Sequence, residues 1–261
     1  RPDPPPLLEL GEIQRRLLPG QPPAVEAFDV FGTNVPALEV GGDYYDWLLM
    51  NNRTLALAVG DVSGKGISAS LLMSHVRASF HSELCGDRSP AQMIRAMHES
   101  LYRATEPGRF ATFFLAQLDL DSELLRYCNA GHNPGLLVHG GAVTLLEGNG
   151  PPLGLLDPVE FTESEIRFEP GDTLVLYSDG ITESPHRHDE YGDDRLAELT
   201  GRLATGTQSA ADIGEAILAD VRSFSGKELG ADDITLVVVR RRSLERDDGA
   251  TETAGSAEVE P

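Results

Sequence analysis

Basic residues are scarce in this chain of 261 residues. It contains 21 lysines and arginines against 42 aspartates and glutamates, so its formal net charge is −21 at pH 7. Proteins that bind a nucleic acid backbone need clustered positive charge, because their binding releases counterions from the phosphates. The composition therefore argues against a nucleic acid partner, and against a nuclease as the class of enzyme.

Long apolar runs and cysteines are also few. No apolar stretch approaches the ~18 residues of a membrane-spanning helix, and no charged leader with an apolar core opens the sequence, so we expect no membrane span and a cytoplasmic location. The two cysteines, Cys85 and Cys128, form neither a metal-ligand pair nor a disulfide framework. We expect both to be buried thiols. The 40% of hydrophobic residues is enough for a core.

Four aspartates occur in turn-like segments beside apolar runs: Asp43 in Gly-Gly-Asp-Tyr-Tyr-Asp, Asp61 in Gly-Asp-Val-Ser-Gly-Lys-Gly, Asp179 in Ser-Asp-Gly and Asp232 in Ala-Asp-Asp-Ile-Thr. The neighbouring runs are typical of buried strands, so the carboxylates can meet at one edge of a sheet core. Crowded carboxylates repel one another unless cations offset their charge. The pattern therefore predicts a site for hard divalent cations, with the Val62 carbonyl as a further ligand.

Other interpretations of these segments are weaker. Each aspartate alone is typical of a structural turn, and only the combination favours a metal site. Residues 60–66 differ from a nucleotide P-loop, because three residues instead of four separate the first glycine from Gly-Lys. No Gly-x-Ser-x-Gly motif is present, which argues against a serine nucleophile. His132 lies in a glycine-rich loop, and we interpret it as structural.

Periodicity and turn signals predict paired helices and paired strands. Helices are predicted at residues 7–18, 67–84, 90–105, 193–204 and 210–224, and strands at 28–35, 44–50, 54–59, 110–118, 124–129, 136–139, 173–177 and 234–240. The three strands between residues 110 and 139 are expected to form a meander. Strict alternation of strand and helix is missing, so the order predicts a layered α+β fold.

The motifs around the aspartates resemble those of the metal-dependent serine/threonine protein phosphatases, the PPM superfamily, and within it the bacterial SpoIIE/RsbU branch. The resemblance covers about residues 7–241. Its matching blocks are Glu-Ile-Gln-Arg-Arg-Leu-Leu-Pro, Val-Gly-Gly-Asp-Tyr-Tyr-Asp, Gly-Asp-Val-Ser-Gly-Lys-Gly, Asn-Ala-Gly-His-Asn-Pro, Tyr-Ser-Asp-Gly-Ile-Thr-Glu and Asp-Asp-Ile-Thr-Leu-Val-Val-Val. It implies an α-β-β-α sandwich with two mainly antiparallel sheets, two Mn²⁺ or Mg²⁺ ions, and hydrolysis of phosphoserine or phosphothreonine on a STAS-type anti-anti-sigma protein that regulates an alternative sigma factor.

The resemblance also implies the residues of the site. The metal ligands, which act on phosphate through metal-activated water, would be Asp43, Asp61, Asp179 and Asp232 with the carbonyl of Val62. Asp233 is a second candidate next to Asp232, and we rank Asp232 first because side chains alternate along a strand. Many eukaryotic relatives bind phosphate with an arginine shortly before the first acidic ligand, but residues 33–42 contain none. The group that orients the phosphate is therefore left open.

We expect three parts in the chain: residues 1–20 as a linker or regulatory helix, residues 21–242 as the phosphatase domain, and residues 243–261 as a disordered acidic tail. In the resembled branch sensor domains precede such a helix, and since the sequence begins with Arg1, we expect a fragment without that domain. Residues 7–18 then either pack on their own domain or form a homodimer. The alternative function, from a different class, is a binding module that retained the fold without activity.

Overall fold

The computed structural model describes residues 7–25, 27–148, 150–226 and 232–242. The tail predicted at 243–261 lies outside the described residues. The helices are α1 (Leu7–Arg15), α2 (Ile67–Glu83), α3 (Pro90–Ala104), α4 (Asp179–Thr182), α5 (Asp193–Ala204) and α6 (Ala210–Ser225). The strands are β1 (Phe28–Val35), β2 (Tyr44–Met50), β3 (Thr54–Val62), β4 (Ala111–Asp119), β5 (Leu124–Ala130), β6 (Gly135–His139), β7 (Ala142–Leu146), β8 (Ser164–Arg167), β9 (Thr173–Tyr177), β10 (Pro185–His186), β11 (Asp189–Glu190) and β12 (Ile234–Arg241). Within these ranges no helix combines the length and the apolar character needed to cross a membrane.

Two five-stranded antiparallel sheets carry the described part of the fold. The first sheet has the strand order β2-β3-β4-β5-β8 and the second has the order β1-β12-β9-β6-β7. Helices α2 and α3 pack on the outer face of the first sheet, and α5 and α6 pack on the outer face of the second. The result is the predicted α-β-β-α sandwich of mixed helices and strands.

Strand β3 shows how the sequence builds these layers. Successive side chains of a strand point to opposite faces. Leu55, Leu57 and Val59 pack between the two sheets, whereas Ala56 and Ala58 face the layer of α2 and α3. All five residues are fully buried. The small alanines let the helices approach the sheet closely, while the larger side chains fill the space between the sheets.

Several elements differ from the prediction. The meander is wrong in its third strand, because β6 pairs with β7 and β9 in the second sheet and not with β5. The loop between β5 and β6, in which Gly131 has a φ of 71°, carries the chain from one sheet to the other. The edge strands β7 and β8 were not predicted, because most of their side chains are exposed or half-buried and they lack the continuous apolar run of an inner strand. The first helix ends at Arg15, earlier than predicted.

The two cysteines have different environments. Cys128 is buried in β5, as predicted, but Cys85 is exposed. The prediction was therefore wrong for Cys85, which follows the end of α2 where the chain turns back toward α3 at the surface.

The inter-sheet packing gives a test at Gly32 in β1. A Cβ atom at this position would lie 2.5 Å from the Trp47 ring and 2.8 Å from the Tyr45 ring, both on the opposite sheet. We expect Gly32→Ala to lower the free energy of unfolding by about 1–3 kcal/mol, because the two rings must shift within a packed layer. Urea denaturation measures this change. Gly20→Ala is the matched control, since a Cβ there meets no atom within 4 Å. Equal stability of the two variants would contradict the close packing at Gly32.

Candidate metal centre

The sandwich brings the predicted aspartates from both sheets to one region. Asp43 directly precedes β2 and Asp61 lies near the end of β3, inside the strand. Asp179 begins α4 directly after β9, and Asp232 lies shortly before β12. A hydrogen bond joins the two sheets here, because Thr235 Oγ1 donates to Asp43 Oδ2 at 2.6 Å.

The carboxylates in this region interact electrostatically. Burial, followed by the charges of Asp179, Asp232 and Asp233, raises the pKa of Asp61 to about 7. Burial and then the charge of Asp232 raise the pKa of Asp179 above its ordinary value. Such shifts are expected where like charges share a poorly solvated site, and a divalent cation would reverse them.

Asp43 is the most enclosed of the predicted aspartate ligands, with 4% of its surface exposed. Burial and the charge of Asp61 raise its pKa well above the usual range, and the hydrogen bond from the Thr235 hydroxyl opposes this shift. Its carboxylate is therefore held in place by a hydroxyl group of the second sheet.

A glycine leaves room beside the donor oxygens of the site. A Cβ atom at Gly42 would lie 2.8 Å from the Val62 carbonyl oxygen and 3.0 Å from Asp61 Oδ1. The absence of a side chain keeps both oxygens accessible from this direction. A carboxylate and a carbonyl oxygen are the donors that Mg²⁺ and Mn²⁺ prefer, so the residues present fit such an ion.

The site is open and not a closed cage. No group of three or more His, Cys, Asp or Glu side chains within the described ranges is arranged to enclose an ion by itself. The charges of Asp179, Asp232 and Asp233 nevertheless act on Asp61, so these carboxylates share one region. Mg²⁺ commonly retains several waters and uses only one or two carboxylates directly. The arrangement suits an ion held partly through water.

The neighbours Asp232 and Asp233 have different environments. Asp233 is buried, and its carboxylate accepts hydrogen bonds from the backbone N–H groups of Ala37 at 2.8 Å, Gly42 at 2.8 Å and Asp43 at 3.5 Å. Asp232 is partly exposed, and its Oδ2 lies 2.7 Å from Lys65 Nζ. Asp233 therefore stabilises the loop before β2 through hydrogen bonds, whereas Asp232 contacts the loop after β3 through its ion pair. The ligand role of each stays a prediction.

Gln14 was not recognised from the sequence as part of this region. Its Nε2 donates to the Gly41 carbonyl at 2.7 Å, and its Oε1 accepts from the Gly41 N–H at 3.0 Å. One amide side chain of α1 therefore satisfies both backbone polar groups of a residue near Asp43. The only available signal was its place in the first block of the family resemblance.

Ser178 was also missed, although it directly precedes Asp179. Its hydroxyl donates to the Asp233 carbonyl at 3.2 Å and accepts from the Thr235 N–H at 2.9 Å. The side chain thereby fixes the start of α4 against the start of β12, and so fixes the spacing between Asp179 and Asp233.

His132 lies behind the strand that carries Asp61. Its Nδ1 is 2.8 Å from Thr112 Oγ1, and Thr112 pairs with Asp61 across β3 and β4. Its backbone N–H donates to Asn129 Oδ1 at 2.8 Å. Burial lowers the pKa of the ring to about 4, so the ring is neutral at physiological pH. These contacts agree with the structural interpretation of His132.

Two curated relatives of this chain are phosphoserine phosphatases of Bacillus subtilis (strain 168). The chain is 29% identical to RsbU over 234 residues, which cover 89% of this chain and 69% of RsbU. It is 27% identical to RsbP over 181 residues, which cover 65% of this chain and 45% of RsbP. The chain therefore spans about two thirds of one relative and less than half of the other.

Solved structures share the fold. The SiaA-PP2C domain of Pseudomonas aeruginosa has a TM-score of 0.77 at 24% identity, covering 90% of this chain and 95% of that domain. The catalytic domain of the serine/threonine protein phosphatase PstP, in complex with two manganese ions, has a TM-score of 0.61 at 16% identity, covering 83% of this chain and 99% of that domain. At these identities the likeness shows the PP2C fold.

The model of the family described as Stage II sporulation protein E (SpoIIE) matches residues 51–242. This range contains Asp61, Asp179 and Asp232 and every strand of the two sheets except β1 and β2. Since the match covers well over half of the chain, and the sheets it spans hold three of the predicted ligands in one region, this protein belongs to the SpoIIE family.

Proposed function

We propose that this protein is a metal-dependent protein phosphatase that hydrolyses phosphoserine or phosphothreonine on a protein substrate. The observation that carries the proposal is the group of buried and half-buried carboxylates where the two sheets meet, in which burial and the neighbouring charges raise the pKa of Asp61 to about 7. Such a site repels a phosphate dianion unless cations neutralise it. Membership of the SpoIIE family and similarity to two phosphoserine phosphatases support this class of reaction.

The residues that would hold two Mn²⁺ or Mg²⁺ ions are Asp43, Asp61, Asp179, Asp232 and the carbonyl of Val62, with Asp233 as the alternative to Asp232. Bound there, the ions supply Lewis-acid chemistry for an in-line attack of water on phosphorus. The chain itself fixes the donors. Asp233 and Gln14 hold the backbone before Asp43, and Thr235 orients its carboxylate. The two manganese ions of the PstP complex support the choice of metal.

We further propose that the substrate is a phosphorylated anti-anti-sigma protein of the STAS type, acting in a partner switch that controls an alternative sigma factor. The similarity to RsbU supports this choice. The upstream sensor domain, the cytoplasmic location and the homodimer through residues 7–18 stay predictions. In the structure, α1 is attached to its own domain through Gln14, while Ile13 on the same helix is 52% exposed.

The enzymatic proposal is tested by hydrolysis of p-nitrophenyl phosphate. We expect activity with manganese, loss of activity in EDTA and recovery with excess manganese, because the candidate ligands are hard oxygen donors.

Asp179→Asn should lower kcat by about 100-fold or more, since it removes a ligand charge. Full activity in EDTA would contradict the two-metal mechanism. A folded protein that is inactive with manganese would favour the inactive binding module.

A second prediction concerns the metal-free protein. The pKa of Asp61 rises from 3.8 to about 7 on folding, so the folded state prefers the protonated carboxyl. The contribution of Asp61 to the free energy of unfolding is therefore largest below its pKa in the unfolded chain. This contribution is lost as the pH rises through its pKa in the folded protein, about 7. We expect Asp61→Asn to raise the Tm in EDTA, with a larger gain at about pH 8 than at about pH 5, because the variant carries no charge there. Differential scanning calorimetry measures both values.

The control for this measurement is Asp121→Asn. Asp121 forms an exposed ion pair with Arg53, and its side chain is 61% exposed. This variant should show no gain in Tm at either pH. An Asp61→Asn variant that is less stable than the parent protein at about pH 8 would refute the repulsion inferred from the raised pKa.

The third prediction separates Asp232 from Asp233. Asp233→Asn should lower the free energy of unfolding by about 1–3 kcal/mol, because the amide nitrogen cannot accept the backbone N–H bonds that a carboxylate oxygen accepts. Asp232→Asn should change it by less than about 1 kcal/mol, since its ion pair with Lys65 is exposed. It should instead weaken manganese binding by about tenfold or more. Urea denaturation and isothermal titration calorimetry measure the two effects. Loss of manganese affinity in a stable Asp233→Asn variant would reverse the ranking.

A further inference from the structure

Helix α2 carries apolar side chains on two faces. Ala69, Met73 and Phe80 face the first sheet and are fully buried. Leu71 lies on the opposite side and is 69% exposed, and Ile67 is 47% exposed. A single exposed leucine is normal on a protein surface. Leu71 also lies beside a groove that reaches Arg109, which contacts the loop after Asp61, and this location calls for an explanation.

The groove lies between α2 and the segment that follows α3. Leu71 and Leu72 form part of one wall, and Ala104 and Arg109 form part of the other. Its volume is about 330 Å³. This is near the lower end of the ~300–1,000 Å³ range of ligand pockets, so the groove suits a short segment and not a whole helix. We call it the α2–α3 groove.

One end of the α2–α3 groove is joined to the candidate metal centre through the backbone. Ser63 follows Asp61 and Val62, and its N–H donates to the Phe110 carbonyl at 2.9 Å. The Phe110 N–H donates in turn to Ser63 Oγ at 3.1 Å, and Arg109 Nη1 donates to the Ser63 carbonyl at 3.4 Å. Arg109 therefore lies where the groove meets the loop after Asp61.

The charges at this junction favour a phosphorylated partner. Arg109 is exposed, and no carboxylate of the described residues forms an ion pair with it. Glu106 also lines the groove, so the attraction is local to the end with Arg109. On a chain with a net charge of −21, a guanidinium that no described carboxylate neutralises, close to the loop after Asp61, attracts a phosphate group.

We propose that the α2–α3 groove docks an apolar side chain that flanks the phosphoserine of the protein substrate, while the phosphate passes Arg109 into the metal centre. The inference rests on the proposed phosphatase function and names how its substrate is selected. A second copy of the chain fits less well, because a stable interface buries about 800 Å² on each partner and this groove is small.

The test uses two fluorescein-labelled ten-residue peptides with a non-hydrolysable phosphonate in place of the phosphoserine ester. One peptide has leucines on both sides of the phosphonate, and its twin has serines there. Fluorescence anisotropy with manganese present measures the Kd of each peptide. We expect the leucine peptide to bind the unaltered protein about tenfold more tightly, which corresponds to about 1.4 kcal/mol. Leu71→Ser should abolish this difference.

Two control variants make the test specific. Leu156→Ser alters another exposed leucine, which is 55% exposed and outside the groove, and should retain the tenfold preference. Arg109→Gln should weaken the binding of both peptides by the same factor. Arg103 lies on α3 and forms an ion pair with Glu99, and Arg103→Gln should leave the Kd of both peptides unchanged.

The possible outcomes are distinct. Equal binding of the two peptides, binding of neither, or a preference that survives Leu71→Ser overturns the proposal. A dimer in sedimentation velocity that Leu71→Ser dissociates also overturns it, because the groove would then hold a second copy. Failure of the phosphatase function itself appears separately, as absence of p-nitrophenyl phosphate hydrolysis by the unaltered protein.

Discussion

Repulsion between carboxylates that are poorly exposed to water is the constraint on which the arrangement of this site depends. Asp43, Asp61 and Asp179 come from different elements, and burial together with the charge of neighbouring aspartates raises the pKa of each. A metal-free protein can keep these carboxylates close together only if the rest of the fold offsets the free energy cost of their repulsion. The sandwich does so, because the strands that carry the aspartates are anchored in the apolar layer between the two sheets.

Hydrogen bonds to the backbone supply the local part of this support. The carboxylate of Asp233 accepts from three N–H groups of the segment before β2, and Gln14 satisfies both polar groups of Gly41. The segment that positions Asp43 is thus held from β12 on one side and from α1 on the other. A displacement of α1 would leave Gly41 without these bonds, so the position of the first helix and the position of Asp43 are physically linked.

The sequence predicted the inner elements better than it predicted their pairing. The apolar runs of β3, β9 and β12 mark buried strands. The structure brings the four aspartates to one region, and their role as metal ligands stays a prediction. The transfer of β6 to the second sheet could not be read from its residues, because the same apolar strand fits either sheet. Gln14 and Ser178 were missed for a related reason, since their roles depend on backbone groups that are distant in the sequence or belong to another element.

The scarcity of basic residues then bears on how a phosphoprotein reaches the site. A net charge of −21 repels an acidic substrate at long range, although salt screens much of this repulsion beyond about 10 Å. Affinity must therefore come from short-range contacts: cations inside the metal centre, local guanidinium or ammonium groups, and burial of apolar surface. Lys65 forms an ion pair with Asp232, and the proposed docking groove supplies Arg109 and the apolar wall at Leu71 as further contacts. Selectivity for a protein substrate over a small phosphate ester would follow, because only the protein extends beyond the phosphate far enough to reach that wall.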